Sequence, residues 1–173
     1  MTVYNTLGLM SGTSLDGLDI VHVLFKHNET WEFEIINAKT YPYSKEWVKK
    51  LNNITKLNGE KLIELHTDYG KYIGSKVNEF IVEQDISKKN IDLISSHGHT
   101  VFHQPKKGFT FQLGNGADIY AKTNIKTICD FRSLDVAFGG QGAPLVPIGD
   151  QLLFNKFKAC LNIGGIANIS FNT

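Results

Sequence analysis

The first forty residues carry three short runs rich in β-formers, at 4–10, 18–26 and 31–40, before any helical period appears. Residues 11–17 and the polar 27–30 separate them, and connections this short cannot carry a crossover. The three runs therefore read as an antiparallel meander. Everything that follows must cover that sheet or extend it, because a strand face left bare has nowhere to bury its apolar side chains.

The cover comes next. Leu62, Leu65, Tyr69, Tyr72, Ile73, Val77, Phe80 and Ile81 recur every three or four positions, which predicts a long helix after Asn58 with one face on the sheet. A shorter helix is expected after Tyr43. Beyond these lie apolar runs at 91–94 and 109–113, a helical stretch near 117–122 and a strand at 125–129. Strands that alternate with helices pair in parallel, so the later strands are expected to be parallel.

The resulting α/β order, βββαβαβ with a mixed sheet, is by analogy that of a ribonuclease H-like lobe, used twice over in the actin-like ATPase fold of sugar kinases, Hsp70 and actin. After 139–142 and the prolines Pro144 and Pro147, a helix over 149–157 is expected to lead into strands at 159–163 and 168–171. Strand, glycine turn and strand begin again there. The division expected is a lobe at 1–147, then a connecting helix and first hairpin of a truncated second lobe at 148–173.

Composition narrows the partners. Eighteen basic against seventeen acidic residues leave a formal charge of +1, which gives no handle on nucleic acid or an anionic membrane. No run approaches the length of a membrane span. Cys129 and Cys160, the two cysteines, each sit in an apolar stretch and fit a reducing cytoplasm.

Five segments hold residues suited to chemistry. Ser11, Gly12, Thr13, Ser14 and Asp16 join strand to strand, and small residues there let N–H groups and hydroxyls close round a phosphate. Gly164 and Gly165 occupy the equivalent hairpin further on. Arg132, the sole arginine against seventeen lysines, follows a predicted parallel strand with Asp130 and Asp135 beside it, and its planar fork suits a carboxylate or phosphate. The alternative is an ion pair with Asp130 or Asp135.

Residues 95–100, including His97 and Thr100, are expected to follow a buried strand and open into the same cleft. Gln112 and Asn115 offer amides fit for an N-acyl sugar, although Asn115 also suits a helix N-cap. Asp16 and Asp19 could hold Mg2+ through water. His97, His99 and His103 read alternatively as a metal site, since residues one apart on a strand share a face.

Gly8-Leu9-Met10-Ser11-Gly12-Thr13-Ser14-Leu15-Asp16-Gly17-Leu18-Asp19 and Gly139-Gly140-Gln141-Gly142-Ala143-Pro144-Leu145-Val146-Pro147 resemble two signatures of the anhydro-N-acetylmuramic acid kinase family. Ser96-His97-Gly98-His99-Thr100, Gln112-Leu113-Gly114-Asn115, Asp130-Phe131-Arg132 and Asn162-Ile163-Gly164-Gly165 fall in that family's order and spacing. The resemblance implies a cytoplasmic, ATP- and Mg2+-dependent enzyme of peptidoglycan recycling that opens the 1,6-anhydro bridge of the amino sugar with water and phosphorylates O6. It implies that Gly12, Thr13, Ser14, Gly164 and Gly165 meet the nucleotide phosphates, and that Thr100, Arg132 and Gln112 hold the sugar, with His97, Asn115 and Asp135 lining the same site.

The family's catalytic aspartate is expected beyond Thr173, so none is assigned here. The protein partner expected is the missing C-terminal lobe or a second copy of the chain. His99 stands where many relatives have glutamine, and Ser133-Leu134 where many have basic residues. Two rival readings stay open: a non-catalytic lobe serving as an interaction subunit, and a hydrolase using Ser11 or Ser14 with His97.

Overall fold

The computed structural model describes residues 1–163 and 167–171. Strands β1 (Thr2–Ser11), β2 (Gly17–His27) and β3 (Trp31–Pro42) form the expected antiparallel meander. Gly17 is required where it stands, because a Cβ there would lie 2.6 Å from the Tyr41 carbonyl oxygen of β3.

Helix α1 (Lys45–Asn52) starts at Ser44, whose hydroxyl accepts the Trp47 N–H. Helix α2 (Gly59–Glu83) starts at Asn58, which accepts the Lys61 N–H in the same way. Leu65, Tyr69, Ile73, Val77, Phe80 and Ile81 of α2 are buried against Leu7, Leu9, Leu18 and Ile20 of the sheet, and this layer is the hydrophobic core.

The second half of the sheet grows from the other edge of β1. Strand β4 (Leu93–Gln104) runs parallel to β1, and β6 (Thr127–Cys129) runs parallel to β4. Strand β5 (Phe109–Leu113) is antiparallel to β4, against expectation. No helix separates β4 from β5; a 3-10 turn at Pro105–Lys107 ends on Gly108 with φ 79°, which makes a hairpin. The order across the six-stranded sheet is β3-β2-β1-β4-β5, with β6 also paired to β4.

Helix α3 (Gly116–Thr123) packs along α2. Two glycines of α2 one turn apart permit the approach: a Cβ on Gly70 would meet the Asn115 carbonyl oxygen at 2.6 Å, and one on Gly74 would meet the Lys122 side chain at 2.6 Å. The short helix α4 (Ser133–Ala137) was not expected, since five residues are too few to show a period.

Helix α5 lies at Val146–Leu153 rather than 149–157, with Pro147 in its first turn, where a missing N–H costs nothing. It lies over the sheet face opposite α2, where Ile148 and Leu152 line a cleft with Tyr4, Phe25 and Trp31. Strands β7 (Ala159–Ile163) and β8 (Ala167–Phe171) pair antiparallel in a separate two-stranded sheet.

The α2–α3 contact yields a sign test. Gly to Ala in a helix ordinarily stabilises by up to about 1 kcal/mol, but Gly70→Ala is expected to destabilise by about 1–3 kcal/mol through overpacking. Gly59→Ala, which meets nothing within 4 Å, should change stability by less than about 1 kcal/mol in the favourable direction. Urea unfolding of the two variants checks both.

Candidate functional site

A bulge in β4 organises the site. Leu9 of β1 pairs with Ser96, but Ser11 pairs with His99, so β4 holds one extra residue between them. Gly98 takes this kink at φ 71°, and a Cβ on it would lie 2.3 Å from the Leu113 carbonyl oxygen. The bulge sends His97 and His99 to different partners, which removes the shared strand face that a histidine metal site needs.

His99 turns into the core. Ser11 is 2% exposed, and its hydroxyl lies 3.0 Å from His99 Nδ1 and accepts the Tyr43 hydroxyl at 2.7 Å. Tyr43 is hydrogen-bonded in turn to Tyr69 of α2. With Tyr69 donating to Tyr43 and Tyr43 to Ser11, Ser11 donates to an unprotonated His99 Nδ1. Burial pushes both phenols above their usual range, so they remain donors.

Ser11 therefore has no hydroxyl turned outward, and the exposed part of the turn is Thr13, Ser14 and Asp16, with Gly12 half-buried. Leu15, not a glycine, takes the left-handed position at φ 58°. Asp16 Oδ1 accepts the Ser14 hydroxyl at 2.7 Å and the Gly17 N–H at 3.0 Å. These bonds, the Ser14 hydroxyl first, hold the Asp16 carboxyl below its usual range.

Asp19 accepts the Thr40 hydroxyl through Oδ1. Both aspartates are exposed, and among the described residues neither Oδ2 makes a hydrogen bond. Hard oxygen donors of this kind suit Mg2+.

His97 turns the other way, to Arg132. Arg132 Nε and Nη2 lie 3.1 and 2.9 Å from His97 Nε2, and Nη1 donates to the Gly142 carbonyl at 2.6 Å. A guanidinium only donates, so Nε2 is unprotonated and the proton sits on Nδ1, which donates to the Gly98 carbonyl at 3.0 Å. Neither Asp130 nor Asp135 pairs with Arg132. Asp130 caps Ser133 N–H from a left-handed φ of 58°. Asp135 accepts the Gly142 N–H at 2.6 Å, and Gly140 is packed so closely on its carboxylate that a Cβ would lie 2.3 Å from it. The 139–142 segment is thus folded back on α4, where it presents the Gly142 carbonyl to Arg132.

Two hollows meet at His97. An open groove of about 610 Å³ on the outer sheet face includes Met10, Asp19, Thr40, Ser95 and Phe131. A polar cavity of about 180 Å³ includes His66, Ser96, Gln112, Asn115 and Asp130. Ser96 Oγ and Gln112 Oε1 are buried without a hydrogen-bond partner among the described residues. Such atoms call for a ligand or water to complete them.

Thr100 and Gln112 face each other across the β4–β5 ladder. Asn115 caps α3, its side chain accepting the Ala117 N–H at 3.0 Å, while it also lines the cavity. Gly164 and Gly165 lie outside the described residues.

A sequence profile of the family described as "Anhydro-N-acetylmuramic acid kinase" matches residues 4–173. The chain belongs to the anhydro-N-acetylmuramic acid kinase family. Among curated kinases of that name, the protein of Pseudoalteromonas translucida is 38% identical over 95% of this chain and 45% of its own length. That of Photobacterium profundum is 40% identical over 100% and 48%, and that of Bacillus thuringiensis 36% identical over 98% and 47%. The chain spans about half the length of the curated relatives it matches. A solved chain titled "Thermus thermophilus RuvC structure" superposes with a TM-score of 0.40 at 9% identity, over 88% of this chain and 81% of that one, figures that by themselves establish no common fold.

Within this anhydro-N-acetylmuramic acid kinase segment, sequence reasoning missed His66, while Ser96 lines the cavity as the reading of residues 95–100 expected. His66 Nδ1 accepts the Gly114 N–H at 3.1 Å and its ring packs on Phe111. Its signal was present: His66 is one helical turn from Leu62 and Tyr69 and two from Ile73, on the stripe of α2 that meets the sheet.

The histidines also set a pH dependence. His66, His97 and His99 all titrate below the usual value, first because burial disfavours the imidazolium. The unfolded chain binds protons that the fold resists, so this stability is present above about pH 6.5 and is lost as the pH falls below it. The urea midpoint is expected to fall between about pH 7 and about pH 5, and His99→Gln should make that slope shallower. Tyr43→Phe, which leaves Ser11 and Tyr69 short of a partner, should cost about 1–3 kcal/mol at neutral pH in the same measurement.

Proposed function

We propose that this chain is the N-terminal lobe, with the first hairpin of the second lobe, of a cytoplasmic ATP-dependent kinase that hydrolyses the 1,6-anhydro bridge of anhydro-N-acetylmuramic acid and phosphorylates O6 to give N-acetylmuramic acid 6-phosphate. The observation that carries it is the joining of the family's motifs at one place: Arg132 is hydrogen-bonded to His97, and His97 lines a polar cavity that contains unpartnered Ser96 and Gln112 atoms. The strand order, with β4 and β6 parallel to β1 beside an antiparallel meander, supports a ribonuclease H-like lobe of the actin-like kind. In this reading residues 1–147 form the lobe and 148–173 lead into the next.

Gly12, Thr13 and Ser14 would meet the nucleotide phosphates from the exposed β1–β2 turn, with Asp16 and Asp19 holding Mg2+. The ion, when bound, neutralises charge on the transferred phosphoryl group. Arg132 would bind an anionic group of the substrates, and Thr100, Gln112 and Asn115 would hold the hydroxyl and acyl groups of the sugar. Among the described residues none is assigned the part of general base.

The hydrolase reading finds no usable dyad. Ser14 donates to Asp16, His97 accepts from Arg132, and the histidine that Ser11 does meet, His99, lies with it in the core. The reading as a non-catalytic subunit keeps one specific support: Leu161, Ile163, Ile169 and Phe171 are exposed together on the β7–β8 hairpin, an apolar face suited to a partner.

The test is the full-length protein with ATP, Mg2+ and the anhydro sugar, followed for ADP and a 6-phosphate product. Arg132→Ala is expected to lower kcat/KM by at least about tenfold, the loss of one charge-assisted hydrogen-bonded contact, with the fold intact by circular dichroism. No ATP consumption with any amino sugar would leave the subunit reading in possession.

A further inference from the structure

Arg132 is held by two acceptors, the His97 ring and the Gly142 carbonyl. Of the five N–H donors of a guanidinium, three are engaged: Nε and one Nη2 hydrogen by His97 Nε2, and one Nη1 hydrogen by the Gly142 carbonyl. One donor remains on each terminal nitrogen, available to the oxygens of a carboxylate or phosphoryl group. Among the described residues no carboxylate lies within 4 Å of the guanidinium, so its charge is uncompensated. A long, flexible side chain has been given one orientation by two acceptors that carry no charge themselves.

We propose that His97 is a positioning residue: its unprotonated Nε2, with the Gly142 carbonyl, aims the Arg132 fork at an anionic group of the ligand, and protonation of the imidazole releases that fork. This rests on the kinase reading for its assay, but not for its geometry. A protonated His97 can only donate. It would lose both contacts with Arg132 and set a second positive charge about 3 Å from the first, where repulsion is strong. The fork would then swing away and ligand affinity would fall.

The surroundings keep the imidazole neutral. Burial and the Arg132 charge both lower its pKa, and the Gly98 carbonyl opposes them. The other charged or titratable groups facing it are His99 behind β4, His66, Cys129 and Asp130 across the cavity, and Asp19 and Lys39 across the groove. All of these persist when His97 is replaced, so a variant at His97 isolates its contribution.

The experiment measures KM for ATP and for 1,6-anhydro-N-acetylmuramic acid in the full-length protein from about pH 5 to about pH 8, with imidazole 15N spectra of the ligand-free protein. The KM of whichever ligand Arg132 holds should rise by up to about tenfold per pH unit below the His97 pKa. A rise confined to the sugar assigns the fork to its carboxylate, and one confined to ATP assigns it to a phosphate. His97→Gln, whose side-chain carbonyl accepts but does not titrate, should flatten that limb, while weakening the same ligand by up to about tenfold at the upper end.

The spectra should show a proton on Nδ1 and none on Nε2 near neutrality, and the imidazole pKa should rise in Arg132→Ala. An acid limb unchanged in His97→Gln, or an Nε2-protonated tautomer, overturns the proposal. Should the protein consume no ATP, the kinase reading fails alone: the tautomer, the pKa response to Arg132→Ala, and calorimetric binding of the anhydro sugar at the two ends of the pH range still decide the role of His97.

Discussion

One extra residue in β4 decides where the chemistry of this molecule lies. Were β4 regular, His97 and His99 would point the same way, and one side of the sheet would carry both. The kink at Gly98, which no side chain could occupy because the Leu113 carbonyl oxygen would stand 2.3 Å from its Cβ, separates them. One histidine is drawn into the core to tie β4 to the end of β1. The other is left at the rim to hold the only arginine. The core and the site are thus joined by a single strand irregularity.

The inward branch anchors the point from which the β1–β2 turn starts. Tyr69, Tyr43, Ser11 and His99 form one chain of hydrogen bonds running from α2 through the last residue of β1 to β4. Buried polar groups are costly unless every member finds a partner, and such a chain fixes one arrangement rather than several. The turn that begins at Gly12 therefore leaves the protein from a fixed point, although its own residues are exposed. The outward branch works by the same logic with opposite effect. Asp135 and the 139–142 segment are consumed in shaping α4 and the carbonyl that Arg132 needs, so residues that resemble ligands act as framework.

Much of this fold was legible because it follows from periodicity. The meander, the α2 stripe from Leu62 to Ile81 and its start after Asn58 all announce themselves through spacing, and the capping alternative for Asn115 is the one its bond to Ala117 shows. What stayed hidden depends on single-residue shifts. A bulge changes the facing of every residue after it, yet it leaves no mark on composition, so the fates of His97 and His99 could not be read from their separation. Strand β4 runs on to Gln104 through residues 95–100, which were expected to follow the strand rather than belong to it, because cross-strand pairing with β5 outweighs the weak strand preference of glycine. Ser11 looked like the first residue of a phosphate turn and is the last residue of the core. His66 lay in plain view on the correct helical face and was passed over, because a lone histidine among apolar residues does not mark a site.

The β7–β8 hairpin stands apart from the large sheet, with Leu161, Ile163, Ile169 and Phe171 between 53% and 74% exposed. A lone two-stranded ribbon is barely stable in water, and its outer backbone groups are free to accept another strand. In a concentrated solution of this polypeptide by itself, that ribbon is where molecules would begin to zip together. Self-association of the isolated segment is therefore expected to start from these last strand residues and not from the well-packed layer that precedes them.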